Sequence, residues 1–217
     1  MPFTAKSGKF NASINTVEIG CGEKAIKIGG ENVLPFYTFD APIENAPKVG
    51  IEITDFGMEH EPECVKKYYE GCETVVDIAK KAASMEGVDF LCFRMEGGDP
   101  NGANKSTEEL VGMLKEIVAA VDLPLVVAGC KHVEKDAELL AKAAEAVDGK
   151  NAVLLAAKEE NYKTVGAAAG LAYKQIVGAE SAVDINLAKQ LNVLLSQLGV
   201  DNKSIVMNVG TAAAGYG

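Results

Sequence analysis

An α/β fold built on a parallel sheet follows from three features of the sequence. Short apolar runs alternate with stretches of helical periodicity at a spacing of about 30 residues, the length of one βα unit. The runs are apolar throughout, as in residues 90–93 (FLCF), 124–128 (PLVVA) and 152–157 (AVLLAA), which is how strands buried on both faces read. Ahead of them a stretch of period two reads instead as a hairpin. Together these features predict a (β/α)8 TIM-type barrel rather than an open doubly wound sheet. They divide the chain into a hairpin over residues 1–33, capping the N-terminal face of the barrel, and the barrel itself over residues 34–217.

The elements are justified in order. Residues 12–19 and 25–28 alternate apolar and polar positions around the turn Gly20-Cys21-Gly22-Glu23, and Gly29-Gly30-Glu31-Asn32 closes the hairpin. Prolines 35, 42 and 47 then make an irregular connection. Residues 49–54 (VGIEIT) are the first strand of the sheet, and the periodicity of residues 62–86 predicts one long helix. The strand at 90–93 leads into a loop of small residues, Gly97 to Asn104. Ser106 and Glu109 then have capping-box spacing at the start of the next helix. After the strand at 124–128 a helix is expected over 136–147. After the strand at 152–157 comes a helix from about 161 to 173, rich in alanine and glycine. A weaker strand at 175–178, a helix at 184–198 and a strand at 204–209 (SIVMNV) complete the pattern.

Composition narrows the function classes. Hydrophobic residues are 48% and charged residues 24% of the chain, which excludes a disordered or collagen-like polymer. No apolar run approaches the ~20 residues of a membrane span, and no secretory h-region follows the N-terminus, so a cytoplasmic location is expected. The net charge of −10 repels phosphate backbones and anionic lipid, so neither nucleic acid nor membrane is expected as a partner. Five cysteines without a CxxC pair argue against a disulfide framework or an intrinsic metal site, and the two histidines lack zinc-hydrolase spacing.

In a barrel of this type, function sits at the C-terminal ends of the strands. Those ends place Thr54 and Asp55, then Arg94 to Glu96, Gly129 and Cys130, Lys158 and Glu159, Glu180 and Ser181, and finally Asn208, Gly210 and Thr211. Arg94, the only arginine, should point the same way as Glu96, and the two are an anion clamp, a general acid/base or an internal salt bridge at the barrel mouth. The glycine-rich loop at 97–104 is either a close approach to a flat ligand or a solvated turn. Lys158 is a Schiff-base candidate only if desolvated. Cys130 and His132 are either a thiolate–imidazole pair or a buried thiol beside a loop histidine. No triad, G-x-G-x-x-G or Walker motif is present.

Several runs, in order, resemble one family. They are LPFYTFDAPIENAPKVGIEITD (34–55), GGDPNGAN (97–104), PLVVAGCKHVEKD (124–136), KEENYKTVGAAAG (158–170), DINLAKQLNVLL (184–195) and the terminal GTAAAGYG. The chain resembles the small (delta) subunit of the corrinoid iron–sulfur protein, part of the acetyl-CoA decarbonylase/synthase system. The family pattern differs at Met95-Glu96 and at Asn208-Val209-Gly210. The resemblance implies a heterodimer with a large subunit that carries the [4Fe–4S] cluster and the corrinoid-binding domain, with the corrinoid (a cobalamin-type cofactor) shared between them. It implies a methyl carrier in one-carbon metabolism and carbon fixation. The methyl group would arrive from methyl-tetrahydrofolate or another tetrahydropterin through a methyltransferase and leave toward acetyl-CoA synthase/CO dehydrogenase. In that arrangement this chain caps the corrinoid and need not do covalent chemistry, and the corrinoid-facing residues would be Asn208, Gly210 and Thr211, with Lys158, Asp184 and Asn186. The alternatives are a stand-alone pterin-dependent methyltransferase, an aldolase acting through Lys158, or a purely structural subunit.

Length bears on the barrel. The chain offers six sheet strands against the eight of a closed barrel, and 217 residues against a typical ~250, so the last two βα units are expected to lie outside this sequence.

Overall fold

A computed structural model describes residues 11–32 and 43–210. Thr211, the terminal GTAAAGYG beyond Gly210, and the first part of the run at 34–55 lie outside the described residues.

The N-terminal hairpin pairs β1 (Val17–Ile19) with β2 (Ile26–Ile28), antiparallel, with Val17 opposite Ile28 and Ile19 opposite Ile26. Six further strands form one parallel sheet in strict chain order: β3 (Gly50–Thr54), β4 (Phe90–Arg94), β5 (Leu125–Ala128), β6 (Val153–Ala157), β7 (Ile176–Glu180) and β8 (Ile205–Asn208). The connecting helices pack into one core on one face of the sheet, as the right-handed crossovers usual between sequential parallel strands would place them. These helices are α2 (Val75–Ala83), α3 (Thr107–Ala120), α4 (Val133–Ala146), α5 (Tyr162–Val165) and α6 (Ile185–Leu198). A short α1 (Glu63–Tyr68) precedes them.

The fold class is therefore α/β with a parallel sheet, and no closed eight-stranded barrel forms among the described residues. Among the described residues β3 pairs only with β4 and β8 only with β7, so the sheet has two open edges.

Strand alternation divides the sheet into two faces. On the helix face Leu91, Phe93, Leu125, Val127, Leu154 and Val177 are buried in the main core with Leu110, Leu114, Leu139, Leu140, Leu191 and Leu195 from the helices. On the opposite face the N-terminal ends of the strands are covered by the hairpin. Val17 and Ile19 bury against Val153 and Ile176, with Val126 and Val206 packed alongside. Asn151 secures this lid, its Nδ2 donating to the carbonyl of Glu18 at 2.7 Å while its own carbonyl accepts from Gly20 N at 2.9 Å. Among the described residues the C-terminal half of that face is uncovered and carries polar side chains.

Three elements depart from the sequence reading. The single helix expected over 62–86 is broken, because Gly71 adopts φ +86° and a new helix begins at Thr74. Thr74 accepts from Asp77 N at 3.1 Å, and Asp77 returns the bond to Thr74 N, a complete capping box. The capping box expected at Ser106 forms only on the serine side, which accepts from Glu109 N. The helix expected over 161–173 is α-helical only to Val165 and continues as a π-helical stretch, Gly166–Ala172.

Candidate functional site

The uncovered half of the sheet face forms a cleft of about 400 Å³, lined by Arg94, Lys131, Asp136, Lys158, Glu180 and Asn208, with Gly129 and Gly210 closing its walls. Arg94, Lys158, Glu180 and Asn208 are delivered by the C-terminal ends of β4, β6, β7 and β8, while Lys131 and Asp136 come from the loop after β5 and the first turn of α4.

β7 and β8 are in register, so their last residues, Glu180 and Asn208, are partners. Lys158 follows β6 directly, after an irregularity in β6–β7 pairing between Leu155 and Ala157. Its backbone N–H donates to Asn161 Oδ1 at 2.7 Å, which turns the chain into α5 and leaves the side chain over the cleft. Lys158 Nζ then lies 3.4 Å from Glu180 Oε1. Asn208 Nδ2 donates to Glu180 Oε2 at 3.2 Å, and Gly210 N–H donates to Asn208 Oδ1 at 3.2 Å. Four residues from three strand ends thus make one hydrogen-bonded and ionic chain.

On the other wall Arg94 grips Glu52 with two bonds, Nε to Oε1 at 2.9 Å and Nη2 to Oε2 at 2.7 Å. These bonds hold the Glu52 carboxyl below its ordinary range although partial burial opposes them. Of the readings open for Arg94 the internal salt bridge forms, with Glu52 rather than with Glu96. β4 ends at Arg94, and Glu96 begins a 3-10 turn that carries it to the exposed surface, whereas Glu52 sits beside Arg94 on the adjacent strand.

The loop after β5 is built around a buried carboxylate. Asp136 Oδ1 accepts from Cys130 N at 2.7 Å and Oδ2 from Lys131 N at 3.0 Å, which holds Lys131 at φ +73° on the rim. A Cβ on Gly129 would overlap the Asp136 carboxylate, so glycine is required there by close approach. Burial raises the Asp136 pKa above the ordinary aspartate value while the bonds from Cys130 and Lys131 oppose the rise.

The same loop excludes a reactive thiol. Cys130 Sγ lies 3.2 Å from Asp136 Oδ1 and burial pushes its pKa up to about 11, while His132 caps α4 by accepting from Lys135 N at 3.4 Å. No thiolate–imidazole pair is made. Cys92, on the cleft side of β4, is pushed up by burial to about 12. Among the described residues no three His, Cys, Asp or Glu side chains converge as a metal site.

The glycine-rich loop does not open onto the cleft. Gly97 and Gly98 are buried, and Gly97 N–H donates to Asp55 Oδ1 at 2.8 Å, while Lys105 Nζ lies 2.8 Å from Asp55 Oδ2 and 4.7 Å from the centre of the Phe56 ring. The loop is pinned to the end of β3 rather than presented to a ligand.

Of the residues singled out from sequence, the structure brings Lys158, Asn208 and Gly210 together. Asp184 and Asn186 lie outside the cleft lining. Asp184 is the N-cap of α6, accepting from Asn186 N at 2.8 Å and Leu187 N at 3.1 Å, and Asn186 is exposed on the first turn. Thr211 is outside the described residues. Glu180, Glu52, Lys131 and Asp136 were not chosen as site residues. Glu180 stands at a strand end and could have been, whereas Glu52 and Asp136 become part of the site only through pairing across the sheet and loop.

Comparison with known proteins matches residues 16–217 to the family described as CO dehydrogenase/acetyl-CoA synthase delta subunit. Similar relatives include the acetyl-CoA decarbonylase/synthase complex subunit delta of Methanothermobacter thermautotrophicus, 32% identical over 96% of this chain and 54% of that protein. The subunit delta 1 of Methanosarcina thermophila is 33% identical over 91% and 45%, and the subunit delta of Methanocaldococcus jannaschii 34% identical over 89% and 48%. The chain spans about half the length of the curated relatives it matches.

Proposed function

The chain belongs to the CO dehydrogenase/acetyl-CoA synthase delta subunit family, and from that premise we propose that it is the small subunit of a corrinoid iron–sulfur methyl carrier and caps the corrinoid with the cleft at the C-terminal ends of β6 to β8. The six strands would be the larger part of a (β/α) barrel. Its partner would be a large subunit holding the corrinoid domain and the [4Fe–4S] cluster. A methyltransferase and the acetyl-CoA synthase/CO dehydrogenase component would act before and after it. When bound, the corrinoid would supply the cobalt centre that carries a methyl group between a methyl-tetrahydropterin donor and acetyl-CoA synthesis.

The observation that carries this reading is the chain Lys158–Glu180–Asn208–Gly210 at an open mouth, without any activated nucleophile beside it. A corrinoid is a broad macrocycle fringed with carbonyl-bearing arms. A cleft of about 400 Å³ is too small to enclose it but suits its rim, and lysine and asparagine donors suit the arms. Lys158 engaged with Glu180 serves binding better than Schiff-base chemistry, and the raised pKa values of Cys92 and Cys130 disfavour a thiolate at either position. The residues of this chain would therefore orient the cofactor and shield it from water. Within the membership, no described helix is long and apolar enough to cross a membrane.

Co-expression with the large subunit tests this. The expected result is a stable heterodimer whose visible spectrum contains corrinoid bands that change in Asn208→Ala. A chain that stays monomeric beside the large subunit, or a spectrum that ignores every substitution in the cleft, would overturn the reading.

A further inference from the structure

We propose that Glu180 is a positioning residue that sets Lys158 and Asn208 as hydrogen-bond donors for neutral carboxamide groups on the ligand, and that it makes the cleft discriminate against carboxylates. This rests on the corrinoid-cap reading for the identity of the ligand. It is carried by the bond pattern for the role of the residue.

An ionised carboxylate only accepts hydrogen bonds. Glu180 Oε2 therefore demands the amide nitrogen of Asn208, which lies 3.2 Å away. That choice turns Asn208 Oδ1 toward Gly210 N–H, the bond at 3.2 Å. The flipped amide would set two acceptor oxygens against each other and leave Gly210 N–H facing a donor, so one carboxylate fixes the asparagine and the backbone that leaves β8. Glu180 Oε1 meanwhile holds Lys158 Nζ at 3.4 Å.

What remains for a ligand can be counted. An ammonium has three donor hydrogens and a primary amide two, so each residue keeps donors free after satisfying Glu180. The lysine and glutamate side chains are 24% and 31% exposed, so those donors reach the cleft while the pair stays partly desolvated. Free donors with no net charge suit a carbonyl oxygen. An anion approaching Lys158 would meet Glu180 as well, and like charges at such a mouth cost affinity. On the opposite wall Arg94 is committed to Glu52 by two bonds. Lys131 lines the rim but is exposed, where water screens its charge.

The test uses the heterodimer reconstituted with two probes, a corrinoid whose side arms are all carboxamides and the same corrinoid with those arms hydrolysed to carboxylates. Wild type should retain the carboxamide probe about tenfold better. Glu180→Gln, which leaves Lys158 unpaired, should bring the two probes to within about twofold, and Lys158→Met, which leaves Glu180 unpaired, should widen the gap. A second measurement needs no ligand. In the isolated chain, Glu180→Gln should speed hydrogen exchange at Gly210 N–H about tenfold, because Asn208 is then free to flip. An unchanged probe ratio in both variants, or an unchanged exchange rate at Gly210, overturns the proposal. Failure of the wild-type heterodimer to retain either probe overturns the cap reading and the ligand class with it, while the exchange rate still reads whether Glu180 positions Asn208.

Discussion

The two faces of the sheet are made by alternate residues of the same strands, yet they obey different rules. On the helix face Leu91, Phe93, Val127, Leu154 and Val177 are fully buried and apolar. On the other face the sheet carries two polar groups, Glu52 with Cys92 and Arg94, and Glu180 with Asn208, each held by charge or hydrogen bonds. The difference teaches that a parallel strand can supply stability with one set of positions and recognition with the other, at no cost to either, because side chains alternate with a period of two. The uncovered face is itself divided. The hairpin seals its N-terminal half with Val17 and Ile19, and among the described residues the half at the strands' C-terminal ends is open as a cleft.

Substitutions on the two faces should separate cleanly. Phe93→Ala, at the centre of the helix face, should cost about 3–5 kcal/mol in urea unfolding, through lost transfer energy and the cavity it leaves. Ile176→Ala, under the hairpin, should cost about 2 kcal/mol, at the low end for its size because a two-stranded lid can settle into the gap. A cost for Ile176→Ala as large as that for Phe93→Ala would break the distinction between core and lid.

Arg94→Met, on the cleft side, should cost about 1 kcal/mol at neutral pH, the worth of a well-aligned but partly exposed ion pair. Its signature is in the pH dependence. The Glu52 carboxyl is lowered below its ordinary 4.5, chiefly by the Arg94 hydrogen bonds. The pair's contribution is therefore present above that ordinary value and lost as pH falls through the lower folded one. Arg94→Met should flatten this acid loss in the urea midpoint. Asp136 works in the opposite sense. Its pKa is raised by burial, so its ionisation removes stability as pH rises from the ordinary 3.8 through the folded value. The smallest expected effect is that of Asn208→Ala, within about 0.5 kcal/mol of wild-type stability while altering ligand retention. A large loss of stability there would show that the cleft residues hold the fold together.

The strands were legible because continuous apolar runs have few other uses, and the order of the six followed from their regular spacing. The break between α1 and α2 was not legible. Val75, Ile78, Ala79 and Ala82 continue a helical period across a gap that only the backbone of Gly71 and the cap of Thr74 reveal. The glycine loop left two readings open for a related reason. Small residues mark close approach, but Gly97 and Gly98 approach the protein's own interior, with Gly97 held by Asp55, rather than a ligand. Arg94 is legible as a charged grip, but its partner is not, because sequence spacing points to Glu96 two residues on, whereas Glu52 is 42 residues away and comes near only on the neighbouring strand.

The sequence by itself determined which segments are strands, which face of each is apolar, and that the C-terminal ends would be polar. Those properties are local, written in a period of two or of 3.6. Only the tertiary structure decided which polar residues meet. Lys158, Glu180 and Asn208 are brought together by parallel pairing of β6, β7 and β8, and Glu52 reaches Arg94 by the register of β3 on β4. Register is set by how whole strands pack against the helices, and a shift of one residue would turn each of these side chains to the opposite face.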